Sequence, residues 1–215
     1  MKQKTLLIGS AALLVLAFAG GALLYNAEKS EEAARAAERN RSHLVRMHSP
    51  SLGASGAKVH IVEFFDPACG TCKVFYPFVK KLMADDRVRL SLRYAPFHDG
   101  SDIVVRMLEA ARKQGKFWEA LEAVLASQEM WAPDHKPQPQ LVWNSLGGVG
   151  LNLEKLRRDM DAPEIAAIIA QDLDDARALN VKMTPEFFVN GRPMPSFGYD
   201  QLKDLVGTAL VETYR

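Results

Sequence analysis

The chain contains two cysteines, three positions apart and directly after a short apolar segment, and this arrangement constrains the fold more than any other feature. Cys69-Gly70-Thr71-Cys72 follows Val59–Phe65, a run of β-branched and aromatic residues that predicts a buried strand. Asp66-Pro67-Ala68 predicts a turn. Residues 73–82 then predict a helix that Pro77 kinks. The sequence therefore predicts a strand, a turn and a helix whose first turn carries both cysteines.

This placement predicts reactive rather than structural cysteines. A cysteine in the first turn of a helix faces unpaired backbone N–H groups and the positive end of the helix dipole. Both favour the thiolate, so we expect the pKa of Cys69 to be lowered and Cys69 to act as the nucleophile. Cys72 lies one turn further on, within reach of a mixed disulfide at Cys69, and is expected to resolve it.

The sequence gives less support to other roles for the cysteine pair. A structural disulfide closing so small a loop would stabilise the chain by only about 2 kcal/mol. A zinc site needs four ligands, whereas the pair offers two, and His43 and His48 lie in a separate segment. A non-catalytic dithiol module that binds a soft metal such as Cu(I) remains the alternative function. We expect no bound cofactor for the catalytic function.

Composition limits the classes of protein and of partner that suit this chain. The chain has 215 residues, 48% hydrophobic and 25% charged, which is typical of a globular domain with an appendage. Its 27 Lys and Arg against 26 Asp and Glu give a net charge of +1, so no strong field favours a nucleic-acid partner.

The N-terminal residues predict a membrane segment. Lys2 and Lys4 precede an uncharged run over residues 5–25, which as a helix would span about 30 Å, the thickness of a bilayer core. The flanking charges place the N-terminus inside and the rest outside. Residues 1–26 are therefore predicted to be a transmembrane anchor, although residues 17–19 also resemble a signal cleavage site. We expect a single-pass protein of the bacterial inner membrane with a periplasmic catalytic domain, or a soluble periplasmic protein if the segment is cleaved.

The remainder divides into a spacer and a folded domain. Residues 27–56 are predicted to form a solvated helical stalk followed by a flexible linker rich in Ser, Gly and Pro. Residues 57–215 are predicted to form the domain. Within it we expect a strand over residues 88–95, several helices over about 101–180, and a strand over residues 182–189 before a C-terminal helix.

Residues 62–72 resemble the active-site segment of the DsbA-like branch of the thioredoxin superfamily. The resemblance implies an α/β, thioredoxin-like fold with a helical insertion at about residues 101–180, here preceded by the N-terminal transmembrane helix. It also implies that Glu63, six positions before the first cysteine, lies buried beneath the pair and exchanges a proton with Cys72. The alternative is that Glu63 merely pairs with a lysine such as Lys80 or Lys81.

A second motif supports the same resemblance. Thr184-Pro185 stands at the head of the last predicted strand, where the superfamily has a cis proline that faces the cysteines. The resemblance implies that Thr184 and Pro185 bind an incoming cysteine-containing peptide as an added strand. An ordinary proline at the start of a strand is the alternative.

The implied function is thiol–disulfide exchange with exported cysteine-containing proteins. A membrane redox partner, either a quinone-linked oxidase or a reducing relay, would reset the pair. The direction of exchange stays open. Thr71 stands where strongly oxidising relatives commonly have a histidine, and Gly70 and Thr184 resemble the isomerase or reductase relatives, but the dimerisation domain that those relatives usually carry is lacking here. We interpret His98 and His135 as surface polar residues without a catalytic role.

Overall fold

The computed structural model describes the backbone of residues 2–215 and the side chains of residues 14, 16–25, 27–29 and 31–215. The strands are β1 (Ser51–Gly53), β2 (Val59–Phe65), β3 (Val88–Tyr94), β4 (Glu186–Val189) and β5 (Arg192–Pro193). The helices are α1 (Lys2–Leu44), α2 (Gly70–Leu82), α3 (Ser101–Arg112), α4 (Phe117–Ala126), α5 (Gln128–Trp131), α6 (Val142–Leu146), α7 (Leu153–Asp159), α8 (Pro163–Ala178) and α9 (Tyr199–Thr213). Helices α3 to α8 all lie between β3 and β4.

The five strands form one mixed sheet in the order β1-β3-β2-β4-β5. Strands β2 and β3 run parallel, and the other neighbouring pairs are antiparallel. Because β2 and β3 are parallel, the turns after both strands lie at the same edge of the sheet. The cysteine motif follows β2, so this edge carries the candidate site.

Both faces of the sheet are buried, which explains why β2 is apolar almost throughout. On one face Ile61 and Phe65 pack into the larger core with α2, α3, α4 and α9. On the other face Val62 and Phe64 pack with Leu44 and residues of α8. Glu63 shares the face of Ile61 and Phe65 by alternation along the strand, which directs its side chain towards the α2 side.

The elements predicted around the cysteine motif are confirmed. Strand β2 has the predicted bounds, α2 runs through Pro77 to Leu82, and α9 spans the predicted residues 199–213. One helix prediction was wrong in detail: residues 116–130 form α4 and α5 with a break at Ser127. The Ser127 hydroxyl donates to the carbonyl oxygens of Ala123 and Val124, which helps end α4 there.

The predicted flexible linker over residues 49–56 was also wrong. Ser51–Gly53 forms β1, which pairs antiparallel with β3, and the backbone N–H of Leu92 donates to the carbonyl of Pro50. The sheet therefore begins before residue 57. The polar and glycine residues of this short strand carry no local signal for a strand. The strand forms because it pairs with a segment about 40 residues further along the chain.

The end of the predicted stalk is docked on the domain through a buried guanidinium. Arg93 is fully buried and donates to Asp172 at 2.8 Å, to Asp175 at 2.6 Å and to the carbonyl oxygens of His43 and Leu44. Further contacts from the end of α1 and from the segment after it reach the same carboxylates: His43 of α1 and Arg46 contact Asp175, and His48 contacts Asp172. These ion pairs hold the end of α1 against α8.

The predicted transmembrane anchor over residues 1–26 falls mostly on side chains outside the described ones. Within the described part of the chain, no helix is both long and apolar enough to cross a bilayer. The backbone of α1 is nevertheless one helix from Lys2 to Leu44.

Candidate active site

The first cysteine begins the helix that follows the central strand. Cys69 is the N-cap of α2, with extended backbone angles (φ −73°, ψ 116°), and Cys72 lies in the first turn. Both are free thiols and both are buried, at 5% and 0% exposure. The local sequence explains this geometry, because β2 ends at Phe65 and the Asp66 carboxylate that follows accepts the backbone N–H of Ala68 in a tight turn.

The second motif lies against the first. The Thr184–Pro185 peptide bond is cis, which confirms the expectation from the resemblance. The Cys69 Sγ lies 3.1 Å from the Thr184 carbonyl oxygen. Two segments separated by 115 positions therefore meet at one sulfur.

The two thiols have opposite electrostatic environments. The pKa of Cys69 is lowered to about 5, and the largest cause is a hydrogen bond from the Cys72 thiol. Hydrogen bonds from the Thr184 side chain and from the backbone N–H groups of Cys72 and Thr71 also lower this pKa, whereas burial raises it. Burial raises the pKa of Cys72, as does its hydrogen bond to the Cys69 sulfur. At neutral pH the pair therefore holds one thiolate, at the outer sulfur, and one thiol beneath it.

Glu63 lies inside the core on the α2 side. It is 1% exposed, and its Oε2 has no hydrogen-bond partner among the described residues. Burial raises its pKa to about 8, with a smaller contribution from the Cys69 thiolate, and Glu63 in turn raises the pKa of Cys72. Lys80 instead pairs with Glu122 at 2.6 Å, so the alternative that Glu63 pairs with this lysine was wrong.

Apolar side chains lie exposed on the elements that carry the two motifs. Val74 of α2, Met183 next to Thr184, and Phe197 before α9 are 60%, 64% and 51% exposed. Phe197 packs on Phe75 with ring centroids 4.7 Å apart, which fixes its position. These three side chains define an exposed apolar patch.

The structure also brings three side chains to the site that sequence reasoning missed. Gln128 of the helical insertion donates to the carbonyl oxygens of Pro67 and Cys69, at 2.8 and 3.0 Å. His98 contacts the Asp66 carboxylate at 2.7 Å, and the His135 ring stacks on the His98 ring. His98 lies in the turn that follows β3, and β3 runs parallel to β2, so its position was a usable signal. No local signal marked Gln128 or His135.

Among the described residues, no cluster of three or more His, Cys, Asp or Glu is arranged to hold a metal ion. The two cysteines are the thiol ligands that the described residues bring to the site. Their opposite pKa shifts suit a nucleophile and a resolving thiol.

Fold and site together define a class. The sheet is mixed, and the cysteine pair lies at the start of the first helix after its central strand. A cis proline faces the pair, and a helical insertion lies between β3 and β4. This is the arrangement of the DsbA-like thiol:disulfide oxidoreductases of the thioredoxin superfamily. Residues 46–207 match the family model described as Thioredoxin. The chain belongs to this family.

The chain is similar to both oxidoreductases and longer proteins of another name. The chain is 36% identical to a thioredoxin-like oxidoreductase from Silicibacter pomeroyi DSS-3, with a TM-score of 0.69 over 79% of this chain and 96% of that structure. It is 28% identical to disulfide bond formation protein D of Bacillus subtilis, over 73% of this chain and 75% of that protein. It is also 31% identical to the Na(+)/H(+) antiporter NhaA of Herminiimonas arsenicoxydans, over 65% of this chain and 22% of that protein. The chain thus spans about a fifth of the length of these antiporter relatives.

Proposed function

We propose that this chain is a thiol:disulfide oxidoreductase that exchanges disulfides with exported cysteine-containing proteins, with Cys69 as nucleophile and Cys72 as resolving thiol. One observation carries the proposal: Cys69 Sγ stands at the N-terminus of α2, 3.1 Å from the Thr184 carbonyl oxygen. The low pKa of Cys69 and the raised pKa of Cys72 support the division of roles. The match to disulfide bond formation protein D supports the reaction class.

In the oxidising direction, a substrate thiolate attacks Cys69 Sγ of the Cys69–Cys72 disulfide. The S–S bond breaks, a mixed disulfide forms and Cys72 leaves as a thiolate. Because the pKa of Glu63 is about 8, its carboxyl holds a proton at neutral pH that it can give to Cys72. A second substrate thiolate then attacks the substrate sulfur of the mixed disulfide and releases Cys69, a good leaving group because of its low pKa. Two electrons pass from the substrate to the cysteine pair.

In the reducing direction the same groups act in reverse order. The Cys69 thiolate attacks a substrate disulfide and one substrate sulfur leaves. Cys72 loses its proton to the Glu63 carboxylate and attacks Cys69 Sγ, which releases the second substrate sulfur. Since the Glu63 carboxyl is mostly protonated at neutral pH, this step should accelerate as the pH rises towards 8.

The substrate is proposed to be an extended polypeptide. Thr184 and Pro185 precede β4, so a peptide laid beside Thr184 can pair with its backbone as an added strand. The exposed apolar patch of Val74, Met183 and Phe197 provides apolar contacts beside that strand. This combination suits unfolded chains, which expose both backbone and apolar side chains.

We further propose that the N-terminal segment anchors the domain at the inner membrane with its active site in the periplasm. The side chains of Leu16, Phe18 and Leu24 are 70%, 82% and 74% exposed along α1, as expected of a helix whose apolar surface is covered by lipid. A membrane redox partner would reset the cysteine pair. Alkaline extraction of membranes and the mass of the mature chain test the anchor: a shortened chain in the soluble fraction would show a cleaved signal instead.

Trapping tests the exchange mechanism. The full chain in detergent, carrying Cys72→Ala, should form a long-lived mixed disulfide with a disulfide-bonded model peptide, because no second thiol can resolve it. The wild type should release the reduced peptide, and Cys69→Ala should form no adduct. If Cys72→Ala traps nothing while its Cys69 still reacts with iodoacetamide, the assigned roles are wrong. Retention of Cu(I) without exchange would favour the dithiol metal module.

A further inference from the structure

A cavity of about 400 Å³ lies at the end of the sheet away from the cysteines. It is enclosed between α1 and the sheet face that α1 covers, beside Lys58 and His60 at the start of β2. Strand β2 runs from this end to the cysteine motif, and its seven residues separate the two ends by about 20 Å. The cavity is therefore separate from the site of disulfide exchange.

The C-terminal part of α1 covers this cavity and is held there by the turn between β4 and β5. Gly191 in that turn has a φ of 87°, and a Cβ on it would lie 2.5 Å from the Ala37 carbonyl oxygen, so α1 packs directly on the backbone of the turn. The Asn40 side chain donates to the Gly191 carbonyl oxygen at 3.1 Å. Apolar residues of α1, β2 and α9 line part of the interior: Ala34, Ala37, Leu44, Val62 and Leu205.

Two arginines of β3 face this side of the sheet, and only one of them is neutralised. Arg93 is paired with the buried carboxylates of Asp172 and Asp175. Arg89, four positions earlier and so on the same face, lines the cavity and has no carboxylate within ion-pair distance in the described part of the chain. Its Nε is buried and has no hydrogen-bond partner there either. Because buried polar and charged groups are almost always partnered, Arg89 calls for an acceptor that carries negative charge.

His60 does not meet this need. Its Nδ1 accepts from Arg89 at 3.3 Å, and its Nε2 donates to the Ser91 hydroxyl at 2.8 Å. The Ser91 hydroxyl lies 2.8 Å from that of Ser51, which donates to the Ser49 carbonyl oxygen. Burial and the neighbouring Arg89 lower the pKa of His60 to about 4, so the ring is neutral at pH 7. His60 therefore orients Arg89 without offsetting its charge.

The remaining charges around the cavity leave an excess of two positive charges. Lys58 has no carboxylate partner among the described residues, and its Nζ lies over the Tyr214 ring, 5.5 Å from the centroid. The other charged residues of the lining form two ion pairs, whose charges cancel: Arg192 with Glu212 at 2.9 Å, and Arg41 with Glu38 at 3.9 Å. Arg89 and Lys58 are thus the two cations that a bound ligand can neutralise.

We propose that this cavity binds a small organic phosphate, with its phosphate group on the Arg89 guanidinium and its apolar part against α1 and Leu205. A guanidinium binds phosphate through two parallel N–H donors, and the Nε of Arg89 is available as one of them. A phosphate monoester carries close to two negative charges at neutral pH, which matches the two cations, whereas a carboxylate carries one. The inference goes beyond the proposed disulfide exchange and does not depend on it.

The phosphate group could come from a soluble compound or from a lipid headgroup, and the position of the cavity favours the soluble source. Ala34 is the cavity residue of α1 closest to the predicted anchor. It lies eight residues beyond position 26, which is about 12 Å along the helix. A headgroup held in the bilayer surface would have to leave it to reach Arg89, which lies further still from the anchor.

The test is calorimetric titration of the full chain in detergent with butyl phosphate, in phosphate-free buffer at pH 7.5. The wild type should bind one equivalent saturably. Arg89→Met should weaken binding at least ten-fold, because it removes a charge-assisted, two-point contact, and Arg89→Lys should weaken it less, because it keeps the charge without the planar fork. Lys58→Met, at an exposed position, should weaken binding about two- to five-fold. Arg89→Met should fold as stably as the wild type without ligand, since no carboxylate loses its partner.

Arg87→Met is the matched control. Arg87 lies two positions before Arg89 and pairs with Asp85 outside the cavity, so this variant removes the same charge and should bind butyl phosphate like the wild type. Equal weakening in Arg87→Met and Arg89→Met would reduce the effect to net charge and overturn the site, as would a wild type that shows no saturable binding. Tighter binding of butyrate than of butyl phosphate would overturn the match to a dianion. Vesicles that contain phosphatidic acid distinguish the source: binding to them that Arg89→Met weakens, without binding of butyl phosphate, would overturn the soluble ligand in favour of a lipid phosphate.

Discussion

Replacing Glu63 by glutamine should stabilise the protein at neutral pH while it slows disulfide exchange. Burial raises the pKa of this carboxyl from its ordinary 4.5 to about 8, and the side chain is only 1% exposed. Because folding favours the protonated form, the folded chain loses stability as the pH rises from about 4.5 to about 8. Linkage over that range gives a cost of about 3 kcal/mol at pH 7. Glutamine keeps the volume of the side chain and removes the titration.

Urea unfolding of the reduced full chain in detergent, from pH 4 to pH 9, measures this cost. Glu63→Gln and wild type should have similar free energies of unfolding at pH 4, where the carboxyl is protonated in both the folded and the unfolded chain. The variant should become more stable by about 3 kcal/mol at pH 7, with no further gain above about pH 9. The titration of Cys69 is common to both proteins and largely cancels.

Glu119→Gln provides the control. Glu119 is exposed on α4 and pairs with Lys116, so this change should alter stability by less than about 0.5 kcal/mol at any pH. A stability difference between Glu63→Gln and wild type that stays constant with pH would refute the assignment of a buried carboxyl with a raised pKa. Unchanged resolution of mixed disulfides in Glu63→Gln would separately remove this residue from the mechanism.

Two further outcomes follow from the site and the fold. The absorbance of the Cys69 thiolate at 240 nm should titrate with a midpoint near pH 5, and a midpoint above 8 would contradict the low pKa of this thiol. Arg93→Met should lower the free energy of unfolding, measured in urea, by about 3 to 5 kcal/mol, because it leaves two buried carboxylates short of a partner. The control Arg192→Gln should lower it by less than about 1 kcal/mol. Similar losses of stability in both variants would show that the buried ion pairs do not hold the fold.

The elements nearest the cysteines could be predicted because their signals are local. The apolar run of β2, the turn at Asp66 and the first turn of α2 place Cys69 and Cys72 without reference to the rest of the chain. Pairing these with Thr184 and Pro185 needed the family resemblance, since 115 positions separate Cys69 from Thr184. The structure then supplied the distance between them.

The features that were missed depend on contacts between distant residues. Strand β1 has little apolar character and owes its form to pairing with β3. The docking of α1 depends on Arg93. From the sequence around it, Arg93 is predicted to be an ordinary polar residue of a strand in which apolar and polar residues alternate. His135 reaches the active site through left-handed backbone angles in the insertion, and no periodicity or composition marks such a position.

The most direct test of the account is a redox titration of the full chain in detergent against mixtures of reduced and oxidised glutathione, followed by alkylation of Cys69 and Cys72. The account predicts a reversible two-electron equilibrium in which both cysteines change state together. A potential near about −120 mV would fit an oxidising enzyme, and one near about −200 to −270 mV a reducing or isomerising one. Cysteines that stay reduced across the whole range, or that change state independently, would contradict thiol–disulfide exchange by this pair.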